Sequence, residues 1–157
     1  MFTVRFEKDG KIHYGKLENN TVTVFAGNMY EQQTLTEERY TLDTVKLLAP
    51  CEPSKIICLG LNYRDHAEEF HFDIPKWPIL FMKPQTSVTG HGADIIYPND
   101  LSRRLDYEAE LAVVIGKTAK DIPQDKAMDY GFGYTCCNDV TARDLQPKNG
   151  QWTIAKS

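Results

Sequence analysis

The stretch LDYEAELAVVI, residues 105–115, predicts one β-strand that carries two acidic side chains on the same face. Its aromatic, leucine and valine residues are typical of strands, and they recur with a period of two. Because side chains alternate between the faces of a strand, this strand would have one wholly apolar face. The residues of that face are Tyr107, Ala109, Leu111, Val113 and Ile115, and those of the other face are Glu108, Glu110, Ala112 and Val114.

Glu108 and Glu110 would lie about 6–7 Å apart at the backbone, since a strand rises about 3.3 Å per residue. The strand is apolar enough to be buried, and buried like charges repel unless a cation or a shared proton lies between them. Converging carboxylates are the ligands that Mg²⁺ and Ca²⁺ prefer. The same pattern is also typical of an amphipathic edge strand with two solvated glutamates, so the pair alone leaves both interpretations open.

The composition is that of an ordinary globular domain of 157 residues with a formal net charge of −4. An acidic balance does not favour nucleic acid, whose phosphates attract basic surfaces. The apolar runs are too short to span a membrane, and the charges within residues 1–10 do not fit a secretory signal. We therefore expect a cytoplasmic protein with neither a nucleic-acid nor a membrane partner.

The four cysteines do not form a recognisable metal or disulfide pattern. Their spacings match no zinc site, and we expect them to be reduced and mostly buried. They are Cys51, Cys58, Cys136 and Cys137.

The beginning of the chain predicts a small antiparallel sheet. Residues 2–7 and 12–18 alternate as two strands joined by a hairpin at Asp9-Gly10. The turn residues Asn19-Asn20 then lead into a third strand, TVTVF.

A junction follows this sheet. Residues 31–50 are polar and close with a short helical or irregular segment, and Pro50 and Pro53 then punctuate the chain. We therefore expect a small N-terminal β domain at 1–50 and a second domain at 51–157.

A third carboxylate, Asp139, stands at the end of the predicted strand GYTCCND. Three carboxylates on neighbouring strands, with waters, would fill an octahedral Mg²⁺ site. Asp139 could instead cap a helix, because the following TARDLQ predicts a helix start with Thr141 and Asp144 in capping-box spacing.

His66 and Glu69 lie three residues apart in RDHAEEF, and they are neighbours if this stretch forms a helical turn. A histidine backed by an acid is typical of a general base, although an exposed loop histidine fits as well. The aromatics and two prolines of residues 70–78 favour a loop or lid.

Four further side chains could hold an anionic substrate. Arg143 and Gln146 would share the face of one turn. Arg143 could instead form a surface ion pair, and Lys83 and Lys156 could be solvated. The four side chains are Lys83, Arg143, Gln146 and Lys156.

Five blocks of this sequence resemble, in order, those of the fumarylacetoacetate hydrolase family, in particular its small acylpyruvase-like and 2-hydroxyhepta-2,4-diene-1,7-dioate isomerase-like members. The resemblance covers roughly residues 45–157. It implies a mostly β (α+β) protein, a mixed β-sandwich roll that is usually a homodimer. The blocks are GLNYRDHAEE, PILFMKPQTSVTGHGADIIYP, LDYEAELAVVIGK, DYGFGYTCCNDVTARDLQ and QWTIAKS.

The resemblance also implies roles for the candidate residues. The metal, usually Mg²⁺ or Mn²⁺, would be held by Glu108, Glu110 and Asp139. His66 with Glu69 resembles the catalytic pair in the lid of the family that activates water. The positions that hold substrate oxygens are matched by Arg143, Gln146 and Lys156, of which Lys156 would also act in catalysis, and Lys83 matches the lysine of the F-x-K-P strand.

One departure concerns the metal ligands. Larger members of the family use a further aspartate in the loop before the histidine, where this chain has Asn62-Tyr63. Three protein ligands are therefore expected.

The function implied is that of a divalent-metal-dependent enzyme for 2-oxo acids or their enols. Hydrolysis of a C–C bond in an acylpyruvate or fumarylacetoacetate-like diketo acid is the leading expectation. The alternative is decarboxylation or isomerisation, of the oxaloacetate or 2-hydroxyhepta-2,4-diene-1,7-dioate type. The lid, residues 67–78, would set the substrate.

The last block stops at Ala155-Lys156-Ser157, within a motif that normally continues in the family. We therefore expect a β-roll that is incomplete at the C-terminus and exposes strand edges and apolar surface. This expectation keeps two other classes open: a catalytically incomplete fragment or metal-binding interaction module, and a structural Ca²⁺ site.

Overall fold

The computed structural model describes residues 2–69, 71–148 and 150–157. Met1, Phe70 and Asn149 lie outside the described residues, and Phe70 belongs to the predicted lid segment 67–78. The described residues form eleven strands, one α-helix and several short 3₁₀ helices. The prediction of a mostly β protein is confirmed.

The chain divides into two compact units, each assembled from three segments. The first consists of the chain up to Glu52, Thr89–Ile95 and Glu110–Cys137. The second consists of Pro53–Val88, Ile96–Ala109 and Asn138–Ser157. The boundary at residue 50, inferred from sequence, stays a prediction.

The first unit contains a five-stranded antiparallel sheet in the order β4-β3-β2-β1-β5. The predicted turns at Asp9-Gly10 and Asn19-Asn20 are confirmed, and all four residues have the positive φ angles that tight hairpin turns require. The strands are β1 (Phe2–Lys8), β2 (Lys11–Glu18), β3 (Thr21–Phe25), β4 (Leu35–Thr41) and β5 (Lys46–Leu47).

Residues 31–50, predicted to be polar and to close with a short helical or irregular segment, contain strands β4 and β5 and, between them, the 3₁₀ turn Leu42–Thr44. Strand β4 (LTEERYT) reads as polar because it lies at the edge of the sheet, where only half-buried Thr36 and Tyr40 turn inward. Edge strands are commonly polar, since their outer side meets water. A composition-based expectation therefore misses such a strand.

The core of this sheet is built from alternate residues of its central strands. Phe6 of β1 is fully buried and packs with Val22 and Val24 of β3. Tyr40 and Leu47, from the two outer strands, pack against this cluster. The two-residue period of the sequence thus directs the apolar side chains to one face.

The first unit also contains a two-stranded sheet formed mainly by β9 (Ala109–Ile115) and β10 (Gly131–Asn138). Between them runs a 3₁₀ helix, Gln124–Tyr130, which ends at Gly131. Leu111, Val113 and Ile115 are each more than half exposed. The expectation that this strand is buried is therefore wrong for its apolar face, whereas the face with Glu110 is half-buried.

In the second unit, β6 (Ile56–Gly60) pairs antiparallel with β7 (Ile79–Lys83). The loop between them carries the α-helix, α1 (Arg64–Glu69). Alternation places Phe81 and Lys83 together on the half-buried face of β7.

Two short strands complete the second unit, β8 (Leu105–Asp106) and β11 (Thr141–Ala142), which pair antiparallel. The prediction of one continuous strand over residues 105–115 is wrong, because the ladder breaks at Tyr107 and Glu108. There the Glu108 N–H donates to Oδ1 of the Asn138 side chain, 3.1 Å away. A side chain thus replaces a strand partner at the point where the chain leaves β8.

The cysteines are only partly as expected. None of the four forms a disulfide, but Cys136 and Cys137 are exposed and the other two are half-buried. Adjacent strand positions face opposite sides, and all eight residues of β10 are exposed or half-buried.

In the described part of the chain, no helix is both long enough and apolar enough to cross a membrane.

Two phenylalanines of β1 should respond differently to truncation, because one is buried and the other exposed. Replacing fully buried Phe6 by alanine should lower the free energy of unfolding by about 3–5 kcal/mol, because it leaves a cavity as well as losing apolar burial. Phe2→Ala is the matched control, because Phe2 is 76% exposed and its loss should cost no more than about 0.5 kcal/mol. Denaturant unfolding followed by far-UV circular dichroism would measure both, and equal losses would contradict this description of the core.

Candidate metal centre

A short backbone ladder in the second unit sets the position of the candidate acids. β11 pairs with β8 through Thr141 opposite Asp106. The ladder continues past the strands, because the Asp139 N–H donates to the Glu108 carbonyl at 2.9 Å. Two residues from different parts of the chain, Glu108 and Asp139, are thereby fixed side by side.

The three predicted metal ligands converge. Glu108, Glu110 and Asp139 each offer a carboxylate oxygen, and these oxygens lie within 4.8 Å of one another. Glu110 follows Glu108 by two residues, so the continuous chain sets its position. Asp139 is only 1% exposed, whereas the two glutamates are half-buried.

Lys156 lies against this cluster. Its Nζ is 2.9 Å from Oε2 of Glu108 and 2.6 Å from Oδ2 of Asp139, so it bridges the two acids. Its ammonium also lies 5.0 Å from the centre of the Phe81 ring, a cation–π distance. The sequence-based alternative of a solvated lysine is wrong, since Lys156 is 2% exposed.

Local packing explains why Lys156 points inward. Trp152 packs edge-on against Phe81, with ring centres 5.3 Å apart. A side chain at Gly60 would meet the Trp152 ring at 2.6 Å, so only glycine leaves room for this packing. The Lys156 N–H donates to the Trp152 carbonyl at 3.0 Å, which closes the turn that carries the lysine.

Lys83 approaches Asp139 from β7. Its Nζ is 2.8 Å from Oδ1 of Asp139, and its hydrogen bond goes to the carbonyl of Val140 at 3.1 Å. The Oδ1 atom is buried, and within the described part of the chain it accepts no hydrogen bond. A buried carboxylate oxygen that accepts no hydrogen bond, even though a lysine is ion-paired with it, is suited to a metal ion.

Arg143 organises the other side of Glu108. It donates through Nη2 to Oε1 of Glu108, through Nε to Asp106 at 2.9 Å, and through Nη1 to Gln146 at 2.6 Å. Burial lowers the pKa of Arg143, but the two acids outweigh this and leave its pKa above the ordinary value. Asp106, hydrogen-bonded by Arg143, has its pKa lowered. The expectation that Arg143 and Gln146 share one turn is confirmed.

Glu108 is held as a carboxylate. Burial raises the pKa of Glu108, but the hydrogen bond and charge of Lys156, with donors from Thr141 and Arg143, outweigh it. The net pKa lies below the ordinary value. An ionised, preoriented carboxylate is the form that a metal requires.

The predicted capping box is wrong. Thr141 lies in β11, and its fully buried hydroxyl is 3.0 Å from Oε1 of Glu108 and 3.1 Å from the carbonyl of Asp139. A hydroxyl has one proton, so it serves one of these acceptors at a time. Asp139 does not cap a helix either, because the 3₁₀ turn that follows begins at Arg143.

Asp144, the other half of the predicted box, secures a loop instead. Its Oδ1 accepts from the Ser102 hydroxyl at 2.5 Å, and its Oδ2 accepts from the Arg103 N–H at 2.8 Å. The hydrogen bond from the Ser102 hydroxyl, and to a smaller extent that from the Arg103 N–H, lowers the pKa of Asp144 below its ordinary value of 3.8. The loop that enters β8 is thereby tied to the turn that carries Arg143.

His66 and Glu69 lie on one turn of α1, as predicted. His66 is half-buried and Glu69 is exposed. Four residues of the predicted lid, 74–76 and Pro78, line a cavity of about 330 Å³ together with residues 59–62. The catalytic role of the pair stays a prediction.

Three residues that hold the site together were not singled out for this role from the sequence. Asp106 lies two residues before Glu108, and Thr141 lies two residues after Asp139. Residues two apart in a strand share a face, so a polar residue at this spacing from a predicted ligand could have been recognised from the sequence. Ser102 carries no such signal, because its partner Asp144 is 42 residues away in sequence.

The chain matches two known families. Residues 55–157 match the fumarylacetoacetate (FAA) hydrolase C-terminal family, and residues 1–50 match the family described as Rv2993c-like, N-terminal. The first match covers well over half of the chain. This chain therefore belongs to the fumarylacetoacetate hydrolase family, which confirms the resemblance seen in the sequence.

Individual relatives agree with this assignment. An uncharacterized protein of Archaeoglobus fulgidus is 53% identical over 154 residues, which cover 98% of this chain and 57% of the relative. The oxaloacetate tautomerase YisK of Bacillus subtilis is 52% identical over 122 residues, 75% of this chain and 41% of the relative. The chain thus spans about half the length of these curated relatives.

The solved structures bear out the fold. The 5-carboxymethyl-2-hydroxymuconate delta-isomerase of Mycobacterium smegmatis has a TM-score of 0.88 and 34% sequence identity to this chain. The match covers 100% of this chain and 62% of that structure. The expected fold type, that of the fumarylacetoacetate hydrolase family, is confirmed.

The tie between Asp144 and Ser102 predicts a pH-dependent contribution to stability. A carboxyl whose folded pKa is depressed stabilises the native state above its unfolded pKa, and loses that effect as the pH falls through the folded value. Asp144→Asn should therefore lower the free energy of unfolding near neutral pH, and its difference from the wild type should shrink below a pH of about 3.8.

Urea unfolding of both proteins from about pH 6 to about pH 3 would measure this difference. Asp73→Asn, at an exposed loop position, is the control and should match the wild type throughout. A difference for Asp144→Asn that stays constant over the whole range would contradict the assignment of the effect to its carboxylate.

Proposed function

We propose that this protein is a divalent-metal-dependent enzyme that interconverts the keto and enol forms of an oxaloacetate-like 2-oxo diacid. One observation carries the proposal: a partly buried carboxylate cluster with three cationic side chains around it. The cluster offers oxygen ligands for Mg²⁺ or Mn²⁺. The cations offer binding groups for an anionic substrate.

The donor set fits such a metal. All three ligands are carboxylates, Glu108 is held ionised, and the buried Oδ1 of Asp139 accepts no hydrogen bond from the described residues, although Lys83 is ion-paired with it. Three protein oxygens leave room for waters or substrate oxygens in an octahedral shell. When bound, a divalent cation would supply Lewis acidity toward the oxygens of a 2-oxo acid.

The substrate would be held by cationic and amide groups beside the cluster. Arg143 is anchored by Asp106 and presents a planar guanidinium suited to a carboxylate. Gln146 is held against it by a hydrogen bond and offers an amide N–H₂. Lys156 contributes an ammonium from the opposite side.

The proton transfer is assigned to the pair on α1. In tautomerisation a proton leaves the carbon next to the 2-oxo group, the C–H electrons form the enol double bond, and the 2-oxo oxygen gains a proton. His66 is the base in this proposal, and Glu69 orients its ring from the same helical turn. The identity of 52% to an oxaloacetate tautomerase favours this reaction over C–C cleavage.

Hydrolysis of a C–C bond in an acylpyruvate is the second candidate. It is favoured by the match to the hydrolase family and by the same His66–Glu69 turn, which suits activation of a water. Both reactions pass through an enolate-like charge distribution, so one site can support either. The products, not the fold, distinguish them.

The first test concerns the metal ligands. The double variant Glu108→Ala/Glu110→Ala should lose Mg²⁺- or Mn²⁺-dependent activity by more than about 100-fold, since even outer-shell partners of a metal cost about 10–100-fold. Glu37→Ala, an exposed acid of β4, is the control and should retain full activity. Undiminished activity of the double variant would refute the assignment of the site.

The second test concerns the reaction. Oxaloacetate enol should be converted to the keto form, measured by loss of enol absorbance, without release of pyruvate. Acylpyruvates should remain intact under the same conditions. Stoichiometric release of pyruvate and a carboxylic acid from an acylpyruvate would refute the tautomerase in favour of the hydrolase.

A further inference from the structure

The ammonium of Lys156 lies between two candidate metal ligands, Glu108 and Asp139, where a cation shared by the two carboxylates would bind. It lies 2.9 Å from Oε2 of Glu108 and 2.6 Å from Oδ2 of Asp139. It is almost fully buried and lies over the Phe81 ring. Lys156 therefore acts as the counter-cation of this pair.

The other oxygens of the pair are also engaged. Oε1 of Glu108 receives Arg143 and lies near the Thr141 hydroxyl, and Oδ1 of Asp139 faces Lys83 at 2.8 Å. Mg²⁺ requires short, directed bonds of about 2.0–2.1 Å to its oxygen ligands. A cation that shares Oε2 and Oδ2 would meet the ammonium at close range, where two positive charges repel.

The charge balance leads to the same conclusion. Glu108, Glu110 and Asp139 contribute −3, and Lys83, Lys156 and Arg143 contribute +3. Asp106, which also binds Arg143, is in turn paired with Arg104 at 3.5 Å, so these two charges cancel and the sum is zero. A divalent cation would change this sum to +2 in a partly buried place, which is costly unless a positive group leaves or an anion enters.

We propose that Lys156 and a divalent cation exclude each other at the Glu108–Asp139 pair, and that metal binding releases the Lys156 ammonium toward the anionic substrate. This inference rests on the proposed function, because it takes the three acids to be metal ligands. Lys156 thus has two successive partners, the carboxylates before metal binding and the substrate anion after it. Lys83 and Arg143 stay in place, because each has a further acceptor: the Val140 carbonyl for Lys83, and Asp106 for Arg143.

The test compares binding of Mn²⁺ alone to the wild-type protein, Lys156→Met and Lys126→Met, measured by calorimetry or by the signal of free Mn²⁺ in electron paramagnetic resonance. Methionine keeps the length of lysine without its charge. We expect Lys156→Met to bind Mn²⁺ about tenfold or more tightly than the wild type, because a competing charge is gone. Lys126 is exposed, and its variant should bind as the wild type does.

Thermal unfolding adds a second readout. Without metal, Lys156→Met should melt below the wild type, because it leaves two neighbouring acids without their shared cation. Mn²⁺ should raise its midpoint more than that of the wild type, since the same cation replaces the missing charge.

Should Lys156→Met fail to fold, amine acetylation of the wild-type protein decides the question. Mass spectrometry of the peptide that contains Lys156 should show faster labelling with Mg²⁺ than without it, and Lys126 should label equally in both. An unchanged rate at Lys156 would overturn the inference.

The outcomes also separate the inference from the proposed function. Equal or weaker Mn²⁺ binding by a folded Lys156→Met, with metal bound by the wild type, overturns the inference and leaves the metal site intact. Binding of Mn²⁺ by neither protein overturns the metal site and the inference together.

Discussion

The ion pairs of Asp139 are the interaction on which the second unit depends. Burying the Asp139 carboxylate, which is only 1% exposed, costs several kcal/mol in lost hydration unless cations and hydrogen-bond donors compensate. Lys83 and Lys156 supply this compensation from two distant segments of the chain. Each lysine therefore has to be positioned accurately. This requirement constrains the position of β7, which carries Lys83, and of the turn after Trp152, which carries Lys156.

The backbone ladder between β8 and β11 places the other residues of the site around Asp139. It places Asp139 beside Glu108, Thr141 beside Asp106, and the Arg143 N–H on the Arg104 carbonyl at 2.8 Å. Because alternate residues point the same way, the polar side chains along this ladder gather on one side. The same arrangement that balances buried charge thus assembles carboxylates next to cationic groups, which is the combination that a metal-dependent enzyme for anionic substrates needs.

Much of this could be predicted from the sequence, for physical reasons that differ between regions. The hairpins of the first unit follow from local turn chemistry at Asp9-Gly10 and Asn19-Asn20, and the helical turn of His66 and Glu69 follows from local spacing. The edge strand β4 could not be predicted, since its polarity reflects its position in the sheet. The predicted capping box was wrong because the buried Thr141 hydroxyl contacts the Glu108 carboxylate instead of capping a helix. Homodimer formation and a cytoplasmic location stay predictions.

The sequence by itself determined the mostly β character, the family, and which three acids converge, because these depend on residue type, spacing and the order of motifs along the chain. Only the tertiary structure decided that the strand over residues 105–115 breaks at Glu108, that its apolar face is exposed, and that Lys156 lies on the carboxylates. The physical reason is the range of the forces involved. Turns and strand alternation arise between near neighbours, whereas the compensation of a buried charge draws on residues 17 to 56 positions away.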